Sequence, residues 1–323
     1  MKTKIIYVLV SNENDCYLEQ ALVSIYSLRL YNPDANLLLL VDEETSRTLE
    51  NGIRKLILNY VSKLVIVDVP FHYSKQQKSR YIKTSLRSQV IGDFLFIYCD
   101  INNSEEKTVL NNWYSEIEAV RECHLSIKYS WMKTNIKKWS SVLGWKYSEN
   151  DFYFNSGVLF VKDTDDTHQF YEYWHSLWRK NVLKGINYDQ PSLAKANELM
   201  GCKICKLDDI WNCQINANGL PFLSKAKIIH YFASGMGAKS YVPYKFLDKK
   251  IFCRIKYEGF LSDEIKLMIR NSKSAFNPFC TVIGYDDARF LCSSTYGLYI
   301  KYPNVYKIIN VMSRMFLFLL RFF

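Results

Sequence analysis

The sequence lacks an apolar signal segment near Met1, and its nine cysteines, an odd number, follow no recognisable disulfide framework. A small secreted protein held together by disulfides is therefore excluded, and we expect a reducing, cytoplasmic setting. The spacing of Cys202 and Cys205 is typical of zinc ligands, but the sequence offers no second pair beside them. We therefore interpret these two residues as ordinary thiols.

The chain also lacks a glycine-rich phosphate loop after its first apolar run, which excludes a dinucleotide-binding fingerprint and a Walker loop. Apolar residues make up 49% of the 323 residues, so the chain is not disordered and can form one large α/β domain with an appended segment. Short apolar runs alternate with stretches of helical period, which predicts a Rossmann-like, mostly parallel sheet flanked by helices. The predicted strands span residues 4–10, 36–41, 64–69 and 94–97, and the predicted helices span residues 17–30, 43–58 and 80–91.

Beyond residue 100 the pattern is less regular. We predict a helix over residues 111–123, a loop rich in Trp and Lys over 133–149, a strand over 152–161, a long helix over 165–183 and a strand over 226–231. Gly157 interrupts the strand over 152–161, and an interior glycine often marks the close approach of a ligand or of other backbone. The alternative is a β-bulge without a ligand.

Asp100 is the one carboxylate in the short polar stretch after the buried run Phe94-Leu95-Phe96-Ile97. Proteins of the α/β class bind ligands at the carboxyl ends of such strands. We therefore expect Asp100 to lie at a ligand site. The alternative is an Asp that only caps the turn after the strand.

Five short motifs occur in the order seen in glycosyltransferases of the GT-A fold, and the chain most resembles family 8, the retaining group that uses nucleotide sugars. The resemblance covers residues 4–241. It implies a GT-A domain over residues 1–245, followed by a helical C-terminal extension over residues 246–323. The motifs are Tyr98-Cys99-Asp100, Phe154-Asn155-Ser156-Gly157-Val158, Asp189-Gln190, residues 207–212 and Ile228-Ile229-His230-Tyr231-Phe232.

The resemblance implies a divalent metal, Mn²⁺ or Mg²⁺, held by Asp100 and His230 beneath the pyrophosphate of the donor. Such a cation stabilises the negative charge that develops on the departing phosphate. The family has an Asp-x-Asp motif at this strand end, and Tyr98 replaces its first Asp here. We expect this loss to weaken metal affinity, with Tyr98 instead stacking on the ribose or hydrogen-bonding to it. For His230 the alternative is a hydrogen-bonded core histidine.

The resemblance also implies which residues contact the donor. The residues after the first strand match the segment that contacts uracil and ribose, and three basic residues match positions that face the donor or its phosphates. As single residues, these cations are also compatible with solvated surface positions. The implied donor-binding residues are Val10, Ser11, Asn12, Arg80, Lys83, Tyr98 and Lys239.

Asn155, Asp189 and Gln190 match the family residues that line the sugar and its anomeric carbon. The resemblance implies that they position the sugar and stabilise charge, with front-face attack by the acceptor hydroxyl rather than a covalent nucleophile. For Asp189 the alternative is a helix N-cap, with Pro191 in the first turn of the following helix.

Three cations recur at seven-residue intervals in the mostly apolar residues 304–323, namely Lys307, Arg314 and Arg321. A step of seven residues returns to nearly the same helix face, which predicts a basic amphipathic helix. We expect this helix to lie on an anionic membrane surface, so that the protein is peripheral on the inner face of the cell membrane. The alternative is a helix packed on the catalytic domain or on a partner.

The function that these observations predict is hexosyl transfer from a UDP-sugar to a glycan or lipid-linked saccharide acceptor, in the biosynthesis of a surface polysaccharide. The alternative is a degenerate domain that binds nucleotide sugar or glycan without turnover, because Tyr98 replaces an Asp. The net charge of +10 favours an anionic partner. We expect no nucleic acid, because the chain lacks a recognised basic and aromatic motif for it.

Overall fold

The computed structural model describes residues 3–50, 52–98, 100–102, 113–231, 244–276 and 289–320. Within these ranges, ten strands form two sheets. The strands are β1 Lys4–Leu9, β2 Asn36–Val41, β3 Lys63–Ile66, β4 Phe94–Ile97, β5 Ile101–Asn102, β6 Ile117–Arg121, β7 Phe154–Val161, β8 Ile204–Lys206, β9 Cys213–Gln214 and β10 Ile228–His230.

The main sheet has seven strands in the order β3-β2-β1-β4-β7-β6-β8, and the small sheet has the order β5-β10-β9. Strands β1 to β4 run parallel to one another, β7 runs antiparallel to both β4 and β6, and β8 runs parallel to β6. The carboxyl ends of β1 to β4 and the start of β7 therefore lie at the same edge of the sheet. The mostly parallel α/β architecture predicted from the sequence is confirmed.

Helices pack on both faces of the main sheet. Their bounds are α1 Tyr17–Tyr31, α2 Glu43–Thr48, α3 Lys75–Thr84, α4 Leu86–Gln89, α5 Lys133–Leu143, α6 Asp165–Val182, α7 Gln190–Leu199, α8 Lys249–Glu258, α9 Asp263–Arg270, α10 Ser294–Lys301 and α11 Pro303–Leu319. Alternate residues of β1 enter two different cores, with Ile5 facing α1, α8 and α9, and Ile6 facing α3, α6 and α7. Because both faces of the strand are buried, its sequence is a continuous apolar run.

Two sequence predictions after residue 100 are wrong. Residues 117–121 of the predicted helix over 111–123 form β6, which is paired on both sides; residues 111 and 112 lie outside the described part of the chain. The predicted loop over 133–149 contains α5, whose buried residues Ile136 and Ser140 are four apart and lie on one helix face. In both places the local sequence pattern predicted the wrong element, because packing against residues distant in sequence determines the structure.

Two helices predicted before residue 100 have different bounds. The helix over 43–58 is divided into α2 and a 3₁₀ helix, Ile53–Tyr60, and Gly52 lies before the 3₁₀ helix with a φ of 69°. Such a φ suits glycine and ends regular helix. The helix over 80–91 begins earlier, at Lys75, because Ser74 and Gln77 form a capping box there.

The last two helices, α10 and α11, have no buried residues. Eleven large apolar side chains between Val305 and Leu320 are exposed. No helix among the described residues is both long enough and apolar enough to cross a membrane. Arg321, part of the predicted basic stripe, lies outside the described residues.

We predict that Leu95→Ala, in the central strand β4, lowers the free energy of unfolding by about 2 to 5 kcal/mol, because it leaves a cavity in a closely packed core. Leu95 is 1% exposed, whereas Ile66 in the edge strand β3 is 51% exposed. The matched change Ile66→Ala should shift stability by no more than about 0.5 kcal/mol. Urea denaturation monitored by circular dichroism compares the two, and equal losses would contradict the burial assigned to β4.

Candidate functional site

Asp100 and His230 meet at the carboxyl end of β4. The antiparallel pairing of β5 with β10 aligns Ile101 with Ile229. Asp100 precedes Ile101 and His230 follows Ile229, so this pairing brings the two residues together. The Asp100 Oδ1 atom and the His230 Nδ1 atom share a short hydrogen bond, although the residues are 130 positions apart in the chain. Both side chains are buried.

The Asp100 carboxylate fits a divalent cation. Its second oxygen, Oδ2, is buried and has no hydrogen-bond partner among the described residues. Burial raises the pKa of Asp100, and His230 and Lys83 only partly offset the rise. A buried oxygen without a partner beside an imidazole is a ligand set that Mn²⁺ or Mg²⁺ accepts. No group of three or more His, Cys, Asp or Glu side chains able to hold a metal occurs within the described residues.

Asp189 lies in a buried cluster of charges formed by α3, β7 and the start of α7. The Lys83 Nζ atom is 2.7 Å from Asp189 Oδ2 and 2.8 Å from Ser156 Oγ. The Ser156 hydroxyl donates to the same Asp189 oxygen at 2.8 Å, and the Arg80 Nε atom lies 3.4 Å from Asp189 Oδ1. Lys83 and Arg80, which the resemblance implies face the donor, therefore both pair with Asp189 in the structure.

The cluster keeps Asp189 ionised. Burial alone would raise its pKa, but the charges of Lys83 and Arg80 and the hydrogen bonds from Lys83 and Ser156 hold the pKa well below its usual range. Asp189 occupies the N-cap position of α7, yet its side chain makes no capping hydrogen bond. The helix-cap interpretation is therefore wrong for the carboxylate, whose oxygens are directed to Lys83, Ser156 and Arg80.

Asn155 and Gln190 are joined by Glu122, which the sequence analysis missed. The Asn155 amide donates to Glu122 Oε2 at 2.9 Å, and the Gln190 amide donates to the same oxygen through a short hydrogen bond. Because residues 111–123 were predicted as a helix, Glu122 was not recognised as a residue at the end of a strand. The available signal was a buried β-type run, Ile117-Glu118-Ala119-Val120, followed directly by charged residues.

Gly157 allows β7 to approach this site closely. A Cβ atom at this position would lie 2.8 Å from Asn155 Oδ1 and 3.1 Å from His230 Cε1. The first of these separations is shorter than any normal contact. The close contacts are made by the side chains of His230 and Asn155 rather than by a ligand or by other backbone. The pairing of β6 with β7 is irregular between the partners Phe154 and Leu159, which favours the β-bulge alternative.

A cavity of about 390 Å³ opens at the carboxyl end of β1, next to these clusters. Three of the implied donor-binding residues, Val10, Arg80 and Tyr98, line it, together with Lys75, Tyr17 and Tyr188. Cationic and aromatic side chains thus occur on the same wall. Such a cavity suits an anionic ligand that carries a flat ring.

Ser11 and Asn12 belong to a loop that Asp15 holds in place. The Ser11 hydroxyl donates to Asp15 Oδ1 at 2.6 Å, and the Asn12 backbone amide donates to Oδ2 at 3.1 Å. The Lys75 ammonium contacts Asp15 Oδ2 at 2.8 Å and Asn12 Oδ1 at 2.6 Å. Asp15 and Lys75 were not identified from the sequence, because their pairing joins residues 60 positions apart. Lys239 lies outside the described residues.

No protein-family model matches the sequence, and no curated protein was found to match it. Among solved structures, the galactosyltransferase LgtC, in complex with donor and acceptor sugar analogs, matches with a TM-score of 0.51 and 14% identity, over 82% of this chain and 99% of that chain. Mouse xyloside xylosyltransferase 1 in its apo form matches with a TM-score of 0.48 and 16% identity, over 72% and 99% of the two chains. The glycosyltransferase GlyE of Streptococcus pneumoniae TIGR4 matches with a TM-score of 0.49 and 16% identity, over 88% and 66%. The likeness to LgtC confirms the GT-A-like fold.

We predict that Asp189→Asn lowers the free energy of unfolding by about 3 to 5 kcal/mol, because it leaves buried Lys83 without its counter-charge. The contribution of Asp189 to the free energy of unfolding should also depend on pH. Its pKa is lowered in the folded chain, so the contribution is full above the unfolded pKa of about 3.9 and is lost as the pH falls toward the native value. Asp189→Asn should therefore flatten the acid side of the stability profile.

Urea denaturation between pH 2.5 and 7 measures both effects. The control is Glu149→Gln, which removes an exposed ion pair of 2.8 Å with Lys133 and should leave the profile unchanged. An Asp189→Asn protein as stable as the parent at pH 7 would contradict the buried ion pair.

Proposed function

We propose that this protein is a retaining glycosyltransferase of the family 8 type, which transfers a hexose from a UDP-sugar to a glycan or lipid-linked saccharide with the aid of a divalent metal. The observation that carries the proposal is the contact between Asp100 and His230, together with the buried Asp100 Oδ2 atom, which has no partner in the part of the chain that the structure describes. Asp100 lies two positions after Tyr98, and Tyr98 lines a cavity together with the cations Lys75 and Arg80. This arrangement matches the needs of a nucleoside diphosphate bound with a cation.

In the proposed complex the nucleotide occupies the cavity at the end of β1. Val10, Ser11 and Asn12 contact the uracil and ribose, and Tyr98 stacks on the ribose or hydrogen-bonds to it. The positive charges of Lys75 and Arg80 face the diphosphate, and Lys239 adds a further phosphate contact. Asp100 and His230 would hold Mn²⁺ or Mg²⁺. When bound, the metal would neutralise charge on the departing phosphate.

The proposed reaction is a front-face displacement. The bond between the acceptor oxygen and the anomeric carbon forms on the face from which the β-phosphate oxygen departs, and the acceptor proton passes to that phosphate oxygen. Asp189, ionised and held by Lys83, stabilises positive charge on the sugar. Gln190 and Asn155, both fixed by Glu122, orient the sugar. No side chain is assigned as a covalent nucleophile.

The proposed function predicts that Asp100→Asn lowers turnover of UDP-hexoses by about 100- to 1,000-fold, the range found when one stabilising group of a transition state is removed. Donor hydrolysis and transfer are measured with UDP-glucose and UDP-galactose in the presence of Mn²⁺, and then with EDTA. The control is Asp263→Asn in α9, at a fully exposed position, which should retain parental rates.

The alternative function, binding without turnover, is favoured by Tyr98 at the position of a family carboxylate. It predicts tight UDP binding by calorimetry, weakened by Asp100→Asn, with no hydrolysis or transfer from any common UDP-sugar. If turnover is unchanged both by EDTA and by Asp100→Asn, the proposed metal site is contradicted.

We also propose that α11 docks the protein on an anionic membrane surface at the cytoplasmic face of the cell membrane. Its apolar side chains are exposed along the whole helix, and Lys307 and Arg314 are exposed on it. No acidic residue follows Asp287 in the sequence. Apolar area together with positive charge is the combination that holds an interfacial helix on anionic lipid.

Deletion of residues 303–323 should abolish sedimentation with vesicles of phosphatidylcholine and phosphatidylglycerol, because it removes both the apolar surface and the cations. Because part of the binding to the vesicles is electrostatic, we expect it to weaken as the salt concentration rises. Lys307→Glu combined with Arg314→Glu should reduce binding to anionic vesicles, whereas Lys249→Glu in α8 serves as the control for net charge. Equal sedimentation of the deleted and intact chains would refute the membrane role.

A further inference from the structure

Cys16 and Cys253 lie in contact although they are 237 positions apart in the chain. Cys16 is at the N-cap of α1, Cys253 is in α8, and the two helices contact each other. The two Sγ atoms are 3.9 Å apart. A disulfide has an S–S distance of about 2.05 Å, so a further approach of roughly 2 Å would join these sulfurs.

The Cys16 side chain has no capping role at the start of α1. N-cap positions favour Ser, Thr, Asp and Asn, whose side-chain oxygens accept from the N–H groups of the first turn. Cys16 makes no capping hydrogen bond, and Asp15 Oδ1 accepts from the Tyr17 N–H at 3.2 Å instead. The needs of the helix therefore do not account for a cysteine at this position, whose sulfur contacts Cys253.

The two thiols differ in exposure. Cys16 is buried and Cys253 is exposed. Burial, with the negative charges of the Cys253 thiolate and Glu19, raises the pKa of the Cys16 thiol, so Cys16 stays protonated at neutral pH. A dissolved oxidant therefore reacts first with Cys253. Once Cys253 is bonded to another sulfur, it no longer carries the charge that opposes ionisation of Cys16.

The charge of α8 favours an anionic reactant. The helix carries four cations, Lys249, Lys250, Arg254 and Lys256, and one carboxylate, Glu258. Oxidised glutathione is a small disulfide with a net negative charge. Its attraction to the helix raises its local concentration beside the exposed thiol.

The same helix holds the loop that follows β1. The Lys256 ammonium donates to the backbone carbonyl of Asp15 at 2.6 Å and, through a short hydrogen bond, to that of Glu13. The Asp15 carboxylate in turn accepts from the Ser11 hydroxyl and the Asn12 amide. The position of this loop therefore depends on its attachment to α8.

We propose that Cys16 and Cys253 are a modification site, at which a small anionic disulfide of the glutathione type oxidises the pair to an intramolecular disulfide. The new bond ties the start of α1 to α8 in parallel with Lys256, and it holds the loop of residues 11–15 in place. In a reducing compartment the pair is kept as thiols and is oxidised only transiently.

The reaction has two exchange steps. The Cys253 thiolate attacks one sulfur of the small disulfide, forms a mixed disulfide and releases one thiolate. The Cys16 thiolate then attacks the Cys253 sulfur, forms the intramolecular bond and releases the second thiolate. The protein loses two electrons and two protons, and the small disulfide gains them as two thiols.

The first test treats the full chain with oxidised glutathione, blocks the remaining thiols and maps the peptides by mass spectrometry. We expect a cross-linked peptide that contains Cys16 and Cys253 and is lost with dithiothreitol or in Cys253→Ser. The control combines Cys202→Ser with Cys205→Ser, which removes two other exposed thiols and should leave the cross-link unchanged. A glutathione adduct at Cys253 that never resolves, or cross-links only between other cysteines, overturns the proposal.

The second test asks whether the bond holds the loop. In the reduced chain, Lys256→Met should raise hydrogen exchange of the amides of residues 11–17 about tenfold, because it removes the attachment to α8. Oxidation should restore exchange to within about twofold of the parent, and Cys253→Ser in the same background should prevent the restoration. A cross-link that forms without restoring protection overturns the proposal.

UDP binding, measured by calorimetry on the same samples, links the site to the donor. We expect Lys256→Met to weaken UDP binding several-fold when reduced and oxidation to restore it, because Tyr17 and the loop lie at the cavity. This last expectation rests on the proposed function, but the disulfide and the exchange measurement do not. Restored protection in a chain that binds no UDP therefore supports the disulfide site, and only the proposed function fails.

Discussion

The buried ion pair between Asp189 and Lys83 is the interaction on which the rest of the site depends. It joins α3 to the start of α7, and the Ser156 hydroxyl adds β7 to the same cluster. A carboxylate buried this deeply is tolerated only because its counter-charges are built into the fold. The pair therefore fixes the position of the segment from Tyr188 to Gln190, in which Tyr188 lines the cavity at the end of β1.

Asp100 and Asp189 are both buried, but their environments shift their pKa values in opposite directions. The charge of Asp189 is balanced within the protein by Lys83 and Arg80. The charge of Asp100 is balanced less completely, because no described residue gives its Oδ2 atom a hydrogen bond. Carboxylates whose environments diverge in this way commonly have different tasks. In the proposed enzyme, Asp189 has a fixed charge, and Asp100 has a charge that a cation from solution completes.

The sequence was sufficient for the features that depend on buried strands. The runs at β1, β2 and β4 are apolar on both faces, which predicts buried strands, and their alternation with helices predicts the parallel arrangement. The convergence of Asp100 and His230 was implied by the resemblance to the glycosyltransferase family. Glu122 and the pairing of Asp15 with Lys75 were not accessible in this way, because each depends on contacts between distant segments that leave no local periodicity. The same reason explains why β6 resembled a helix.

In the proposed enzyme, the pairing of Asp189 also affects the binding of an anionic donor. A single unpaired carboxylate beside a diphosphate would oppose binding, and the effect would be strong because water is excluded from the cluster. Lys83 and Arg80 offset this repulsion. Lys83 is buried, whereas Arg80 also lines the cavity, together with Lys75, which is paired with Asp15. In the proposed enzyme, Lys83 therefore neutralises the buried acid, Lys75 faces the ligand and Arg80 does both, which lets an acid lie next to a phosphate site.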